Sequence, residues 1–216
     1  MADILLDNQN QSALSVGASQ GGGFFDTNTG LWMTKDAVAR CYGTVLNASI
    51  ASQGAGFSTD TYVTDSHLIV PSCSLQVRTV LRFQISASKT AASTAQPVYT
   101  LRLGSNKSTA DTAILAITGP AQTAIADIGT LNLMYVVRSI GAAGVIQGTA
   151  WWDHRGTAAN TTTSGVGFAN DTTGHTEATS AGFDTTGRGG QWFGVSLNGS
   201  TSASWTLTQV QAEANW

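Results

Sequence analysis

The chain has few charged residues. Aspartate, glutamate, lysine and arginine make up 11% of its 216 residues, whereas about 25% is usual for a soluble domain. Small and polar uncharged residues take their place. Because exposed helix faces are normally rich in glutamate and lysine, this deficit argues against helices. The net charge is −3 and the lysines are Lys35, Lys89 and Lys107. The sequence therefore has no basic stripe and predicts no nucleic-acid partner.

Long apolar runs and a targeting segment are missing too. No stretch approaches the roughly 18 apolar residues that a membrane-spanning helix needs. Residues 1–7 (MADILLD) have neither the basic nor the apolar region of a signal peptide, so we expect synthesis and folding in a cytoplasm and no membrane partner. Cys41 and Cys73 lie far apart in the sequence, and we interpret them as free buried thiols and not as a disulfide or a metal site.

The sequence does contain the alternation of apolar and polar residues that is typical of β-strands. The alternation is longest in residues 131–155 (LNLMYVVRSIGAAGVIQGTAWWDHR), where Leu131, Leu133, Tyr135 and Val137 share one parity. Glycines flank the connection GAAG at residues 141–144. The pattern predicts a β-hairpin with the apolar parity facing a core.

Residues 74–86 show the second clear alternation, with Leu75, Val77, Leu81, Phe83 and Ile85 on the parity that we expect to face the core. The same reading predicts further strands at residues 42–50, 61–63, 67–70, 97–103, 112–118, 191–197 and 204–214.

Two short segments read as turns between these strands. Residues 52–56 (SQGAG) are rich in small residues. Residues 198–200 (Asn-Gly-Ser) lie between the last two predicted strands, where Asn-Gly is a strong hairpin signal. We therefore expect the last two strands to pair as a hairpin.

Roughly eight to ten strands at this spacing are typical of a sandwich or jelly roll. The predicted fold class is all-β: an antiparallel β-sandwich/jelly roll over residues 41–216 with an extended N-terminal arm over residues 1–40. The arm has little periodicity and is rich in Asn, Gln, Ser and Gly, a composition that does not form a core alone. We interpret it as an arm that lies along a neighbouring subunit. The alternative is an arm folded back on its own domain.

Residues 151–155 (WWDHR) attract attention as a candidate site. Adjacent side chains of a strand point to opposite faces, so Asp153 and His154 cannot form a catalytic dyad along one strand. The other histidines, His67 and His175, complete no metal-binding spacing with His154. A nucleophile elbow, a phosphate loop and a close carboxylate pair are also missing from the sequence. We expect no catalytic residue, no metal and no cofactor.

The six tryptophans permit two interpretations. They can form a sugar-stacking platform, or they can pack in the core and in subunit contacts, which we favour. Residues 158–187 read as a long loop rich in Thr, Asn and Gly, and long loops often carry function. The candidate ligand or exposed-loop residues are Trp152, His154, Arg155, Phe168 and His175.

The carboxy-terminal pattern resembles the last two strands of tailed-bacteriophage structural jelly rolls. Residues 190–214 read GQWFGVSLNGSTSASWTLTQVQAEA. They contain a small-residue turn followed by a Thr-x-x-x-Val-x-Ala-Glu strand, as those proteins commonly do. The hairpin strand LNLMYVVR at residues 131–138 is similar to theirs as well. The likeness covers roughly residues 74–216 and is a general pattern without a specific motif.

The resemblance implies a virion protein, often a homotrimer, that is a capsid decoration (cement) protein, a head fibre or a tail-associated receptor binder. The first of these is our leading hypothesis. A trimer would bind the major capsid protein and neighbouring trimers on the head through the arm, after assembly in the host cytoplasm, and would stabilise the shell. The expected capsid and subunit contacts are Leu5, Leu6, Phe24, Phe25, Leu31, Trp32 and Trp216.

Two alternatives stay open. The first is a tail or fibre adhesin that recognises a host glycan through residues 158–187 and the tryptophans. The second is an enzyme of the jelly-roll or cupin type, which would require a bound metal.

Overall fold

The computed structural model of the protein describes residues 22–26, 31–35, 41–71, 74–90, 93–154, 168, 175–200 and 203–216. Within these residues the regular structure consists of strands, which are numbered β1 to β15 in chain order. Two antiparallel sheets pack against each other, so the prediction of an all-β antiparallel β-sandwich is confirmed. In the described part of the chain, no helix is long and apolar enough to cross a membrane.

The first layer, called the large sheet below, has seven strands and antiparallel pairing throughout. β5 (Gln53–Gly56) pairs with β15 beside β4. The order of the other strands is β13 (Thr176–Thr179), β12 (Val145–His154), β11 (Asp127–Ser139), β8 (Val80–Lys89), β15 (Trp205–Asn215) and β4 (Thr44–Ser49).

The second layer, called the small sheet below, has five strands. β7 (Leu68–Ile69) and β6 (Thr61–Tyr62) both pair with β14. The order across the sheet is β10 (Thr112–Thr118), β9 (Val98–Gly104), β14 (Trp192–Asn198) and β6.

A third sheet, the N-terminal sheet, consists of three strands: β1 (Gly22–Asp26), β2 (Leu31–Lys35) and β3 (Cys41–Tyr42). Met33 of β2 is buried and belongs to the hydrophobic core. Asp26 of β1 is buried as well. Part of the segment predicted as an extended arm therefore forms strands and reaches the core, while Leu5 and Leu6 lie outside the described residues.

The hairpin predicted for residues 131–155 is the pair β11–β12. Leu131, Leu133, Tyr135 and Val137 all face the core and are almost fully buried. β8 pairs with the other side of β11 and buries its own alternate residues in the same way. Burial of one such side chain contributes about 1.5–3 kcal/mol. Strict alternation along both strands therefore fixes which face of the large sheet meets the small sheet.

An aromatic cluster fills one end of the sandwich. The rings of Trp152 and Phe168 stack at a centroid distance of 4.0 Å. Trp205 meets both edge-on, at 5.7 Å and 5.4 Å. The indole Nε1 of Trp152 donates to the hydroxyl of Tyr99 (2.7 Å), and that of Trp205 donates to Oε1 of Gln122 (3.0 Å). The large rings are thus buried with their polar atoms paired, which is what burial of tryptophan requires.

The expected hairpin between the last two strands is wrong. β14 belongs to the small sheet and β15 to the large sheet, so the chain changes layers between Asn198 and Trp205. The amide of Gly199 donates to the carbonyl of Phe57 (2.7 Å), and Ser200 has a φ of 73°. The Asn-Gly signal lies where β14 ends, but a local signal does not determine which strands pair.

Two smaller expectations are also corrected. Residues 53–56, predicted within a turn, form β5 and pair with β15. Val77, predicted to face the core, is 46% exposed because residues 77–78 form a turn in which Arg78 has a φ of 75°. β8 therefore begins at Val80. The other residues of the predicted parity, Leu75, Leu81, Phe83 and Ile85, are buried in the core as expected.

Arg102 of β9 is a buried charged residue with several partners. Its Nε donates to the Ser196 hydroxyl (2.8 Å), one terminal nitrogen donates to the carbonyls of Thr109 (2.9 Å) and Asp111 (2.8 Å), and the other pairs with Asp60. Because a buried guanidinium needs such partners, we assign Arg102 a structural role: it holds two loops against the small sheet.

Candidate functional site

Two of the predicted ligand residues lie in the core. Trp152 and Phe168 are buried and stack on each other. This corrects the expectation that they face a ligand or an exposed loop. Trp151 and Trp152 are adjacent on β12, so they point to opposite sides of the large sheet. Trp152 is the inward residue, and Trp151 is the half-buried residue on the outer face.

The other three predicted ligand residues have different positions. His154 is the last residue of β12, and Arg155 lies outside the described residues. His175 is exposed and meets the ring of Trp151 edge-on, with a centroid distance of 4.7 Å and an interplanar angle of 86°. The structure thus brings His175 to the outer face of the large sheet, next to a tryptophan that the sequence reading had not selected.

Of the predicted interface residues, Trp32 and Trp216 are the ones whose side chains the structure describes, and their environments differ. Trp216 is 9% exposed and belongs to the core of its own chain, with its amide donating to the carbonyl of Gly43 (3.0 Å). The expectation that it lies in a subunit contact is therefore corrected. Trp32 of β2 is 59% exposed. Phe24 and Phe25 lie in β1, and Leu31 begins β2.

The outer face of the large sheet contains a groove of about 340 Å³. It crosses four neighbouring strands, β12, β11, β8 and β15. Strand alternation sends the side chains of these strands that do not face the core out toward this groove. The outward-facing side chains that line it are Trp151, Asn132, Met134, Arg82, Gln84, Gln211 and Glu213.

The strand register arranges these side chains in rows across the sheet. Trp151 lies opposite Asn132, Asn132 opposite Gln84, and Gln84 opposite Gln211. In antiparallel sheets the side chains of such opposed pairs are about 5 Å apart at Cβ. One aromatic ring and three carboxamides therefore form a continuous row.

Hydrogen bonds hold part of this row in place. Nε2 of Gln84 donates to Oδ1 of Asn132 (3.2 Å), and Nδ2 of Asn132 donates to the Asp153 carboxylate (2.7 Å). In the neighbouring row, Arg82 and Glu213 form an ion pair with N and O 3.4 Å apart. The charges that line the groove thus compensate each other, and its wall carries no net charge.

Sequence reasoning missed this groove although part of its signal was present. Gln84 and Arg82 alternate with core residues of β8, as Asn132 does in β11. That pattern indicates only a solvent-facing side of a strand. Which strands are neighbours, and hence that Trp151 and Gln211 flank the same row, follows from the register and not from any local pattern.

A second aromatic pair lies in the small sheet. His67 meets Trp192 edge-on at 5.0 Å and 79°, and Nζ of Lys107 lies 3.7 Å from the Trp192 ring centroid. Burial lowers the pKa of His67, the charge of Lys107 lowers it further, and Asp65 opposes both. The neutral imidazole is therefore favoured beside the lysine, and the arrangement serves as a packed cation–π contact.

The described residues contain no group of three or more His, Cys, Asp or Glu side chains that could hold a metal ion. Fold and site together define an antiparallel β-sandwich whose large sheet carries a groove on its outer face, lined by Trp151 and several polar side chains. No protein-family model matches the chain, and no curated protein matches it significantly. The resemblance to phage structural proteins thus stays a prediction.

Proposed function

We propose that this chain is a non-enzymatic structural protein of a tailed-phage virion, which binds the head surface as a homotrimer and stabilises the capsid shell. The β-sandwich agrees with the fold that the resemblance implies. The charge-poor sequence is compatible with a surface that is covered in an assembly. The observation that carries the proposal is the edge of the large sheet at which no further described strand pairs with the strand next to β15.

That edge is β4, and it lacks the usual protection. β4 pairs with β15 on one side, and no described strand pairs with its other side. Its sequence TVLNAS contains no charged residue and no proline, which are the devices that keep edge strands from pairing with other chains. Leu46 is 66% exposed, and Ile50, directly after β4, is 88% exposed. An unguarded apolar edge of this kind fits a contact between copies of the chain.

A charge on this edge should dissociate the trimer. Leu46→Lys places an ammonium group where the proposed contact buries an apolar side chain, so we expect smaller particles in light scattering coupled to size exclusion. Ile140→Lys is the matched control, because Ile140 is 51% exposed but follows β11 in the hairpin connection. Equal masses for the wild type and Leu46→Lys would refute a subunit contact at β4.

Attachment to the head is assigned to the N-terminal segment, residues 1–40, which would contact the major capsid protein and neighbouring trimers. The exposed indole of Trp32 supports this assignment. Leu5 and Leu6 are proposed to contribute in the same way. Because Asp26 is buried and β1 pairs with β2, a deletion that tests the assignment has to spare β1.

Deletion of residues 2–21 should leave a folded trimer that no longer binds heads. Co-sedimentation of the purified variant with undecorated heads of the encoding phage measures the loss, and circular dichroism checks the fold. A variant that retains all the described strands yet binds heads like the wild type would exclude the N-terminal segment as the anchor.

A second candidate function is host-glycan recognition by a tail or fibre protein. The specific observation that favours it is the groove beside Trp151. The amount of the chain in purified particles separates the two candidates. A decoration protein approaches the abundance of the major capsid protein, whereas an adhesin stays far below it. Quantitative mass spectrometry of the particles gives this ratio directly.

A further inference from the structure

We propose that the groove on the outer face of the large sheet binds a short, neutral saccharide segment. The proposal deepens the second candidate function, on which it rests, and assigns that function to a place in the fold. It is independent of whether the N-terminal segment binds heads. The site differs from the loop of residues 158–187, which the sequence alone had suggested for glycan binding.

The first argument is the combination of chemical groups. A sugar ring presents apolar C–H faces and a rim of hydroxyls that donate and accept hydrogen bonds. Trp151 offers a large, rigid apolar surface. The carboxamides of Gln84 and Gln211, both exposed, each supply a carbonyl acceptor and an NH₂ donor. These groups stand in one row across the sheet, so a single ligand can contact the ring and the amides together.

The second argument is the rigidity of the row. The Trp151 ring is positioned by the edge-on contact with His175. Asn132 is buried and is held by Gln84 and Asp153 on either side. The groups also project from paired strands instead of a loop. A site of this kind loses little conformational entropy when a ligand binds.

The third argument is charge, which selects a neutral ligand. Arg82 is the cationic side chain of the groove, and its guanidinium is paired with Glu213. An acidic sugar, a phosphate or a sulfate would have to compete with that carboxylate and face its repulsion. Hydroxyl groups can instead accept from Arg82 and donate to Glu213 without breaking the pair.

The fourth argument is size. A volume of about 340 Å³ lies at the lower end of the range of roughly 300–1,000 Å³ that is usual for small-molecule sites. The groove is open along the sheet face, so the ends of a longer glycan can extend beyond it. We therefore expect it to hold a short internal or terminal segment of a glycan.

The test is a printed array of neutral hexose and N-acetylhexosamine oligosaccharides together with sialylated and sulfated ones. The full-length protein should retain neutral members. Calorimetric titration with the best neutral oligosaccharide should then show a loss of affinity of about tenfold or more for Trp151→Ala. Gln211→Leu, which changes an exposed side chain, should weaken binding in the same direction and keeps the test valid if Trp151→Ala folds poorly.

Trp192→Ala is the matched control. Trp192 is also half-buried and also meets a histidine edge-on, but it lies on the small sheet. Its replacement should leave saccharide affinity unchanged. Retention of no neutral oligosaccharide, or of acidic ones alone, would overturn the proposal. So would a ligand whose affinity survives both Trp151→Ala and Gln211→Leu. None of these results bears on head binding, which the deletion of residues 2–21 decides separately.

Discussion

Replacement of Trp205 by alanine should lower the free energy of unfolding by about 3–5 kcal/mol, the range found when a large buried aromatic residue is truncated. Trp205 is almost fully buried and contacts the rings of Trp152, Phe168 and Phe57. Its removal leaves a cavity between these rings. It also removes the hydrogen-bond donor to Gln122, whose carboxamide simultaneously donates to the carbonyl of Gly199 (2.7 Å). Urea unfolding followed by circular dichroism measures the change.

Two variants separate the causes of this loss. Trp205→Phe keeps an aromatic ring and removes only the donor and part of the volume, so it should cost less than Trp205→Ala. Trp192→Ala removes a tryptophan that is half-buried on the small sheet and should be much milder than Trp205→Ala. If Trp205→Ala and Trp192→Ala destabilise equally, the buried aromatic cluster does not make the larger contribution to stability that its packing predicts.

Replacement of Gly148 by alanine should destabilise the protein by overpacking the space between the two sheets. A Cβ at this position would lie 2.7 Å from Cδ1 of Tyr135 and 2.8 Å from Cδ2 of Leu115. Both side chains are buried, Tyr135 in the large sheet and Leu115 in the small sheet. Overpacking of this kind typically costs about 1–3 kcal/mol and occasionally more. Denaturant unfolding of the variant gives the value.

Gly54→Ala is the control for this prediction. Gly54 lies in β5, and no atom lies within 4 Å of the Cβ that alanine would add. Its free energy of unfolding should stay the same or rise by about 0.4–1 kcal/mol, because alanine restricts the unfolded chain. In a double-mutant cycle, Gly148→Ala should cost less in a Leu115→Ala background than in the wild type, because one of the two neighbours that the added methyl group meets is then gone. A neutral effect of Gly148→Ala would show that the two sheets are farther apart here than the structure has them.

The strands that could be predicted from the sequence are those with a strict apolar alternation and one buried face. β10 lies at residues 112–118 as predicted, and β11 and β12 form the predicted hairpin. In these segments the apolar residues recur with the two-residue period of a strand, so the local sequence is enough to predict the strand. β8 also follows the pattern, since its alternate residues face the same core as those of β11.

Strand pairing at long range could not be predicted in the same way. Asn-Gly at residues 198–199 predicts a hairpin turn, but β15 pairs with β8 and β4 instead of β14. Residues 53–56 lack apolar periodicity and still form a strand, because β15 offers them a partner. Hydrogen-bond partners that are distant in sequence leave no trace in a local pattern.

The candidate site shows the same limit. Trp151 and Trp152 have the same residue type, and the sequence reading selected the inward one. Trp151 is identified as the outward-facing tryptophan because it lies opposite Asn132. This is known only from the register of β11 and β12. The sequence shows that the polar residues of β8 share one face of the strand. It does not show that Trp151 lies in the same row across the sheet, which is what makes them candidate site residues.

The position of β15 has a consequence for the rate of folding. β15 follows every other strand in sequence, yet it lies between β8 and β4. The side chains of Thr44 in β4 and Asn215 in β15 form a hydrogen bond although the two residues are 171 positions apart. Closing so large a loop costs conformational entropy before the contacts of β15 with β8 and β4 can stabilise the sheet. Until β15 inserts, the edges of β8 and β4 both stay open to other chains. We therefore expect slow folding, with aggregation competing most strongly just before the large sheet closes.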